Sequence, residues 1–184
     1  MDAMVANGVS YCPMLVACQI PAGEGVAELE ADPDFVGLFG EAERRDFHAF
    51  MHRLSGTWTP EDMRYWKKAN ENRLEWMRRF RQMGGVLLMG TDFQRGGITL
   101  HQELRNFAAI GMDPVEVVAA ATGECAKAFR MERELGTISE GLRADVVVLN
   151  RSPAEDIGAL RDIAHVLKDG SIVWSAGAGK PGHM

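Results

Sequence analysis

Cysteine is scarce in this chain: three residues in 184, Cys12, Cys18 and Cys125, with no CxxC pair among them. So sparse and odd a set excludes a disulfide framework and a cysteine zinc site, and it fits a reducing compartment. Positive charge is also in short supply. Twenty Lys and Arg against 26 Asp and Glu leave a net charge of −6, which argues against nucleic acid or an anionic membrane surface as a partner. No apolar run is long enough to span a bilayer. The opening MDAMVANGVSY has neither a basic start nor a long apolar stretch, so no secretory signal is expected and a cytoplasmic location is the expectation. Internal repeats and low-complexity segments are lacking too.

What is present is the composition of an ordinary globular domain, 46% hydrophobic and 25% charged. Residues 9–19 (VSYCPMLVACQ) read as a buried strand, centred on Ser10 to Cys18. Pro21 to Gly40 is rich in Pro and Gly and reads as loop. Glu41 to Leu54 reads as a helix with Phe47, Phe50, Met51 and Leu54 on one face, broken by Gly56. Thr59-Pro60-Glu61-Asp62 starts a second helix with a hydroxyl cap, a proline and first-turn acids. It runs to about Met83, with Met63, Trp66, Leu74, Met77 and Phe80 as its stripe. A strand, Val86 to Thr91, follows. A long amphipathic helix feeding an apolar strand is one step of a parallel α/β fold.

The run Val86-Leu87-Leu88-Met89 is cut off by Gly90-Thr91-Asp92. In a barrel of parallel strands, a polar residue at the C-terminal end of a strand faces the active-site mouth. A carboxylate left there is costly unless it is paired or holds a metal, so Asp92 is the first site candidate. Beyond the Gly96-Gly97 loop, a helix over Thr99 to Ile110 is expected to bury Leu100, Leu104, Phe107 and Ala108. Asp113-Pro114-Val115-Glu116 then starts a third helix burying Val115, Val118, Ala119, Thr122, Ala126 and Phe129. From Gly136 the texture changes to short strands: Gly136 to Ile138, Ala144 to Leu149, His165 to Lys168, and Ser171 to Trp174 after an Asp169-Gly170 hairpin turn.

The phrases VLLMGTDF, LHQEL, GMDPVEVVAAATGECAKAF, LGTISEGLRADVVVLNRSPAEDI and HVLKDGSIVW, in that order, resemble the C-terminal part of the metal-dependent amidohydrolase superfamily, in its imidazolonepropionase-like and prolidase-like branch. Tyr11 to Leu15 is similar to the family's seventh barrel strand. The resemblance implies an α/β fold. It would be a partial (β/α)8 barrel, its last strands and helices over residues 1–133, with strands of a small β-sandwich over 134–175 and a flexible tail over 176–184. It implies hydrolysis of a carbon–nitrogen bond (amide, lactam, cyclic imide or dipeptide) in a small-molecule substrate, through water activated by a divalent metal, with zinc as the expected ion. Asp92 matches the family's eighth-strand aspartate, which binds the metal and accepts a proton from its water.

The family's other ligands are an HxH pair, a lysine or glutamate, and two further strand-end histidines. The histidines here are His48, His52, His101, His165 and His183, and none forms HxH or ends an apolar strand. A catalytic zinc needs about three protein ligands, and a barrel of this type about 200 residues or more. The chain is therefore expected to be a C-terminal fragment, inactive alone, that lacks the N-terminal barrel portion. The rival expectation is a non-catalytic remnant or assembly module, a homo-oligomer pairing through exposed barrel edges. His101 in LHQEL lies beside the apolar face of its helix and reads first as packing, with a place behind the metal shell or beside the substrate as the alternative. Glu103 reads as a helix-surface carboxylate. His48 and His52, four apart on a helix, could share a face and a metal, but no glutamate follows His48 as a metalloprotease motif requires, and they read as a solvated or half-buried pair. Cys125 reads as a buried inert thiol, and Trp58, Trp66 and Trp76 as helix packing.

Overall fold

The computed structural model describes residues 1–23, 25–92 and 97–178. A helical layer comes first and a small antiparallel sheet last. The helices are α1 (Asp2–Ala6), α2 (Leu15–Gln19), α3 (Val26–Glu30), α4 (Pro33–Leu38), α5 (Glu41–Ser55), α6 (Pro60–Gln82), α7 (Ile98–Ala109), α8 (Pro114–Ala121) and α9 (Gly123–Ala128). The strands are β1 (Val146–Leu149), β2 (Ile163–Lys168) and β3 (Ser171–Ser175), in the order β1-β2-β3 with antiparallel pairing throughout.

The helix starts at α6 and α8 stand where the sequence puts them. Thr59 and Asp62 exchange bonds at the head of α6, and Asp113 and Glu116 do so at the head of α8. Each pair satisfies N–H groups that a helix start leaves without a partner. At the β2–β3 turn, Asp169 and Gly170 both take positive φ, 48° and 77°, the backbone of the tightest hairpin turns.

Elsewhere the structure corrects the sequence reading. Residues 9–19 do not form a strand. Tyr11 makes one parallel bridge to Leu87, with Tyr11 N–H donating to Val86 O and Leu88 N–H to Tyr11 O, both at 2.9 Å. Pro13 then lacks a donor, Met14 turns left-handed at φ 48°, and the chain coils into α2. The segment Val86 to Thr91 is likewise held by that bridge rather than by a ladder. Pro21 to Gly40 is not loop but a 3₁₀ turn (Ile20–Ala22) followed by α3 and α4; Asp32 caps α4 by accepting from Asp34 N–H, a cap-and-proline start at Asp32-Pro33. The third helix is two, α8 and α9. Thr122 Oγ donates back to Val118 O at 2.8 Å, which bends helices, and Gly123 lies against Gly136. Val115, Thr122 and Phe129 are exposed, while Val117, Ala120 and Ala126 are buried. Gly136 to Ile138 is not a strand.

Among the described residues two apolar cores form. The larger joins Leu15, Met77, Phe80, Leu87, Leu104, Phe107, Ile110, Val117 and Ala120. The second joins Val16, Ile20, Leu29, Phe35, Phe47, Met51 and Ile98. The consecutive residues Leu15 and Val16 fall in different cores, and α7 contributes Ile98 to one and Leu104 and Phe107 to the other. The short α2 and α7 thus form the seam between them.

Candidate functional site

The site is built on the segment that Tyr11 and Leu87 bring together. Tyr11 packs edge-on against Trp76, ring centroids 4.9 Å apart, and Trp76 stacks on Phe80 at the same distance. These rings hold the start of the 86–92 segment against the C-terminal half of α6. Further along, Met89 N–H donates to Ala120 O at 3.1 Å, tying the segment to α8. Gly90 lets the segment approach closely, since a Cβ there would lie 2.6 Å from Cys12 Sγ and the thiol would have to shift.

Asp92 ends this segment. It is exposed and takes φ 45°, a left-handed conformation that Asp tolerates better than most residues. The structure thus puts its carboxylate at the exposed end of the extended segment, past Gly90. Among the described residues, no group of three or more His, Cys, Asp and Glu side chains gathers where it could hold a metal. The residues present do not by themselves fit the metal that the sequence resemblance implies.

His101 is half-buried on α7. Burial pushes its imidazole below the ordinary value, and the charges of Arg161 and Arg105 push the same way, only partly opposed by Asp34 and Asp32. A neutral ring is favoured there. Arg161 itself forks onto Asp32, at 2.6 Å from Nη1 and 2.5 Å from Nη2, and also pairs with Asp34. The fork fastens the 3₁₀ turn Ile157–Arg161 to the head of α4. Two hydrogen bonds from Arg161 are the main reason that the Asp32 carboxyl is held down at about 2.

Glu103 is the residue that the sequence reading misplaced. It is fully buried rather than on the helix surface. Its two oxygens accept the N–H groups of Leu15 and Val16, both at 2.9 Å. These are the first N–H groups of α2, so a carboxylate from α7 caps a helix 87 to 88 positions away in the chain. Burial pushes the Glu103 carboxyl up, and its N–H partners pull it back in part. One turn on, Asn106 and Gln19 exchange amide bonds at 2.8 and 3.3 Å. A signal was available: Thr99, Glu103 and Phe107 are spaced by four, so Glu103 lies on the buried face of its helix.

Cys12 is not an activated nucleophile. Burial raises the Cys12 thiol, with Cys125 and Glu103 adding to it, and Cys125 Sγ donates to Ala120 O at 3.1 Å. His165 Nδ1 pairs with Ser175 Oγ at 2.8 Å on the sheet; His183 lies outside the described residues. Trp76 packs as expected. Trp58 and Trp66, both half-buried, also line an open cleft of about 490 Å³ at the head of α6, which contains none of the candidate residues. No helix among the described residues is long and apolar enough to cross a membrane.

Comparison with known proteins adds to this geometry. Residues 49–173 match the sequence profile of the Amidohydrolase family. Ochratoxinase of Aspergillus niger is 32% identical over 100 residues, 52% of this chain and 21% of that protein. Imidazolonepropionase of Symbiobacterium thermophilum is 30% identical over 107 residues, 54% of this chain and 25% of that protein. The crystal structure of A. niger ochratoxinase superposes with a TM-score of 0.68 at 24% identity, over 97% of this chain and 35% of that one. A Xaa-Pro dipeptidase with methionine bound in its active site gives 0.63 at 24% identity, over 95% of this chain and 36% of that one. At that identity the two structures speak for a shared fold. The chain spans about a fifth to a quarter of the length of its sequence relatives.

Proposed function

The chain belongs to the amidohydrolase family, and on that premise we propose that it is the C-terminal part of a hydrolase of carbon–nitrogen bonds in small molecules: amides, lactams, cyclic imides or dipeptides. The fold is read as the last strands and helices of a (β/α)8 barrel followed by strands of a small sandwich. The parallel Tyr11–Leu87 bridge, flanked by α6 and α7, supports that reading. The observation that carries it is the placement of Asp92, exposed at the C-terminal end of the segment that bridges to Tyr11.

In this reading Asp92 is the chain's contribution to a divalent metal, zinc by expectation, as ligand and proton acceptor, and His101 stands behind it or beside substrate. Such a metal supplies an acidified water at neutral pH. Since the described residues gather no metal site of their own, the remaining ligands are assigned to an N-terminal barrel portion, and the isolated chain is expected to be inactive.

The test is an assay of the purified chain with Zn²⁺ against N-acyl amino acids, dipeptides and cyclic imides, alone and mixed with an N-terminal barrel portion bearing an HxH motif. Turnover should appear only in the mixture and vanish with Asp92→Ala. Turnover by the chain alone would overturn the fragment reading, and restored turnover indifferent to Asp92→Ala would overturn the assignment of Asp92.

A second reading, a non-catalytic assembly module, has its own support. In the sheet, Val147, Val166 and Trp174 lie in one cross-strand row, and Val147, Ile172, Val173 and Trp174 are exposed. Exposed apolar residues on edge strands favour pairing with another chain. A concentration-independent monomer in sedimentation would count against it.

A further inference from the structure

The geometry points to a surface site for a divalent transition-metal ion on α5, formed by His48 and His52 and braced by Glu30. It is independent of Asp92 and of the reaction proposed above.

The two histidines are one turn apart on α5, so their side chains project from one face. Their rings meet edge to face with centroids 4.2 Å apart. The second apolar core fixes their surroundings: Leu29, Phe47 and Met51 are buried together, and Glu30, His48 and His52 each follow one of them in the chain. That packing presses the end of α3 against α5 and sets Glu30 Oε1 2.7 Å from His48 Nδ1.

The contact decides which nitrogen of His48 is free. A carboxylate accepts hydrogen bonds, so on the neutral ring Nδ1 carries the proton toward Glu30 and Nε2 keeps the lone pair. A carboxylate on one imidazole nitrogen with a metal on the other is the usual support of a histidine ligand, because it fixes the tautomer and raises the basicity of the ligating nitrogen. His52 is exposed, so its ring can turn to present a nitrogen to the same ion at the usual distance of about 2.0–2.1 Å. Arg44, one turn before His48, donates to Val36 O at 3.4 Å, which engages a guanidinium that would otherwise repel an ion. The described residues gather no set of three ligands. Two imidazoles suffice for a chelate, with water completing the shell. Imidazole suits Cu²⁺, Ni²⁺ and Zn²⁺ rather than Mg²⁺, and affinity should rise from Ni²⁺ to Cu²⁺.

Calorimetric titration of the full chain with CuCl₂ and NiCl₂ tests the site. One ion per chain is expected, tighter for Cu²⁺, with no heat from MgCl₂. His48→Ala and His52→Ala should each lower the affinity at least tenfold, Glu30→Gln about tenfold, and His165→Ala not at all. Far-ultraviolet circular dichroism should be unchanged, since the rings lie outside the core. Affinity that survives both α5 substitutions, that falls with Asp92→Ala or His165→Ala instead, or that is absent at millimolar metal would overturn the site.

Discussion

The carboxylate of Glu103 accepts the backbone N–H of Leu15 at 2.9 Å, joining positions 88 apart in the chain. This bond and its twin to Val16 hold α2 at the seam between the two cores, and so fix where the chain turns after the Tyr11–Leu87 bridge. Removing the carboxylate leaves two buried N–H groups without an acceptor, at about 1–3 kcal/mol each. Glu103→Ala should cost about 3 kcal/mol and Glu103→Gln about 2 kcal/mol in urea unfolding.

The pH dependence of that loss has a defined sign. Burial raises the Glu103 carboxyl in the folded state, so between its unfolded and folded values the folded protein binds a proton that the unfolded chain does not. The contribution of this group to stability therefore falls as pH rises through the folded value. Glutamine does not titrate, so the gap between wild type and Glu103→Gln should narrow from acidic to alkaline pH. A gap that widens would refute the direction.

Asp32 titrates in the opposite sense. Arg161 holds its carboxyl at about 2 in the folded protein, below the ordinary 3.8. The stability it adds is present above that ordinary value and lost as pH falls through about 2. Between pH 5 and the acid limit, wild type should lose about 1 kcal/mol more than Asp32→Asn, the scale of a partly exposed forked pair. Asparagine keeps the cap on α4, so the comparison isolates the charge.

Adjacent glycines should fail for different reasons. A Cβ at Gly85 would lie 2.5 Å from the Phe80 ring, which is fully buried and stacked on Trp76, so Gly85→Ala should cost about 1–3 kcal/mol by overpacking. Gly84 has open space but φ 87°, and Gly84→Ala should cost about 1 kcal/mol from backbone strain alone. Near-ultraviolet circular dichroism of the Trp76–Phe80 stack should change for Gly85→Ala and not for Gly84→Ala.

Asp92 holds a left-handed backbone at φ 45°. Glycine adopts that conformation freely, at some entropic cost in the unfolded chain. Asp92→Gly should stabilise the chain by about 0.5 kcal/mol while removing the carboxylate from any reconstituted hydrolase. A stabilised, inactive variant would mark the position as one held for chemistry.

By itself the sequence determined the features whose physics is local. The caps at Thr59 and Asp113, the prolines behind them, the α6 stripe ending in Met77 and Phe80 and the Asp169-Gly170 turn all depend on neighbours within a turn or two, and all stand in the structure. Tertiary structure decided the rest. VSYCPMLVACQ has the composition of a buried strand, yet beyond Tyr11 it coils, because Glu103 supplies acceptors for the first N–H groups of α2. Pro21 to Gly40 reads as loop until Phe35 and Leu29 find the core that Phe47 and Met51 complete. His48 is exposed, as its sequence suggests, but its carboxylate partner is Glu30, which only α3 brings to it. A buried carboxylate's partners, a short helix's stability and a histidine's tautomer are set by groups distant in the chain, and residue type and spacing alone do not encode which distant groups will meet.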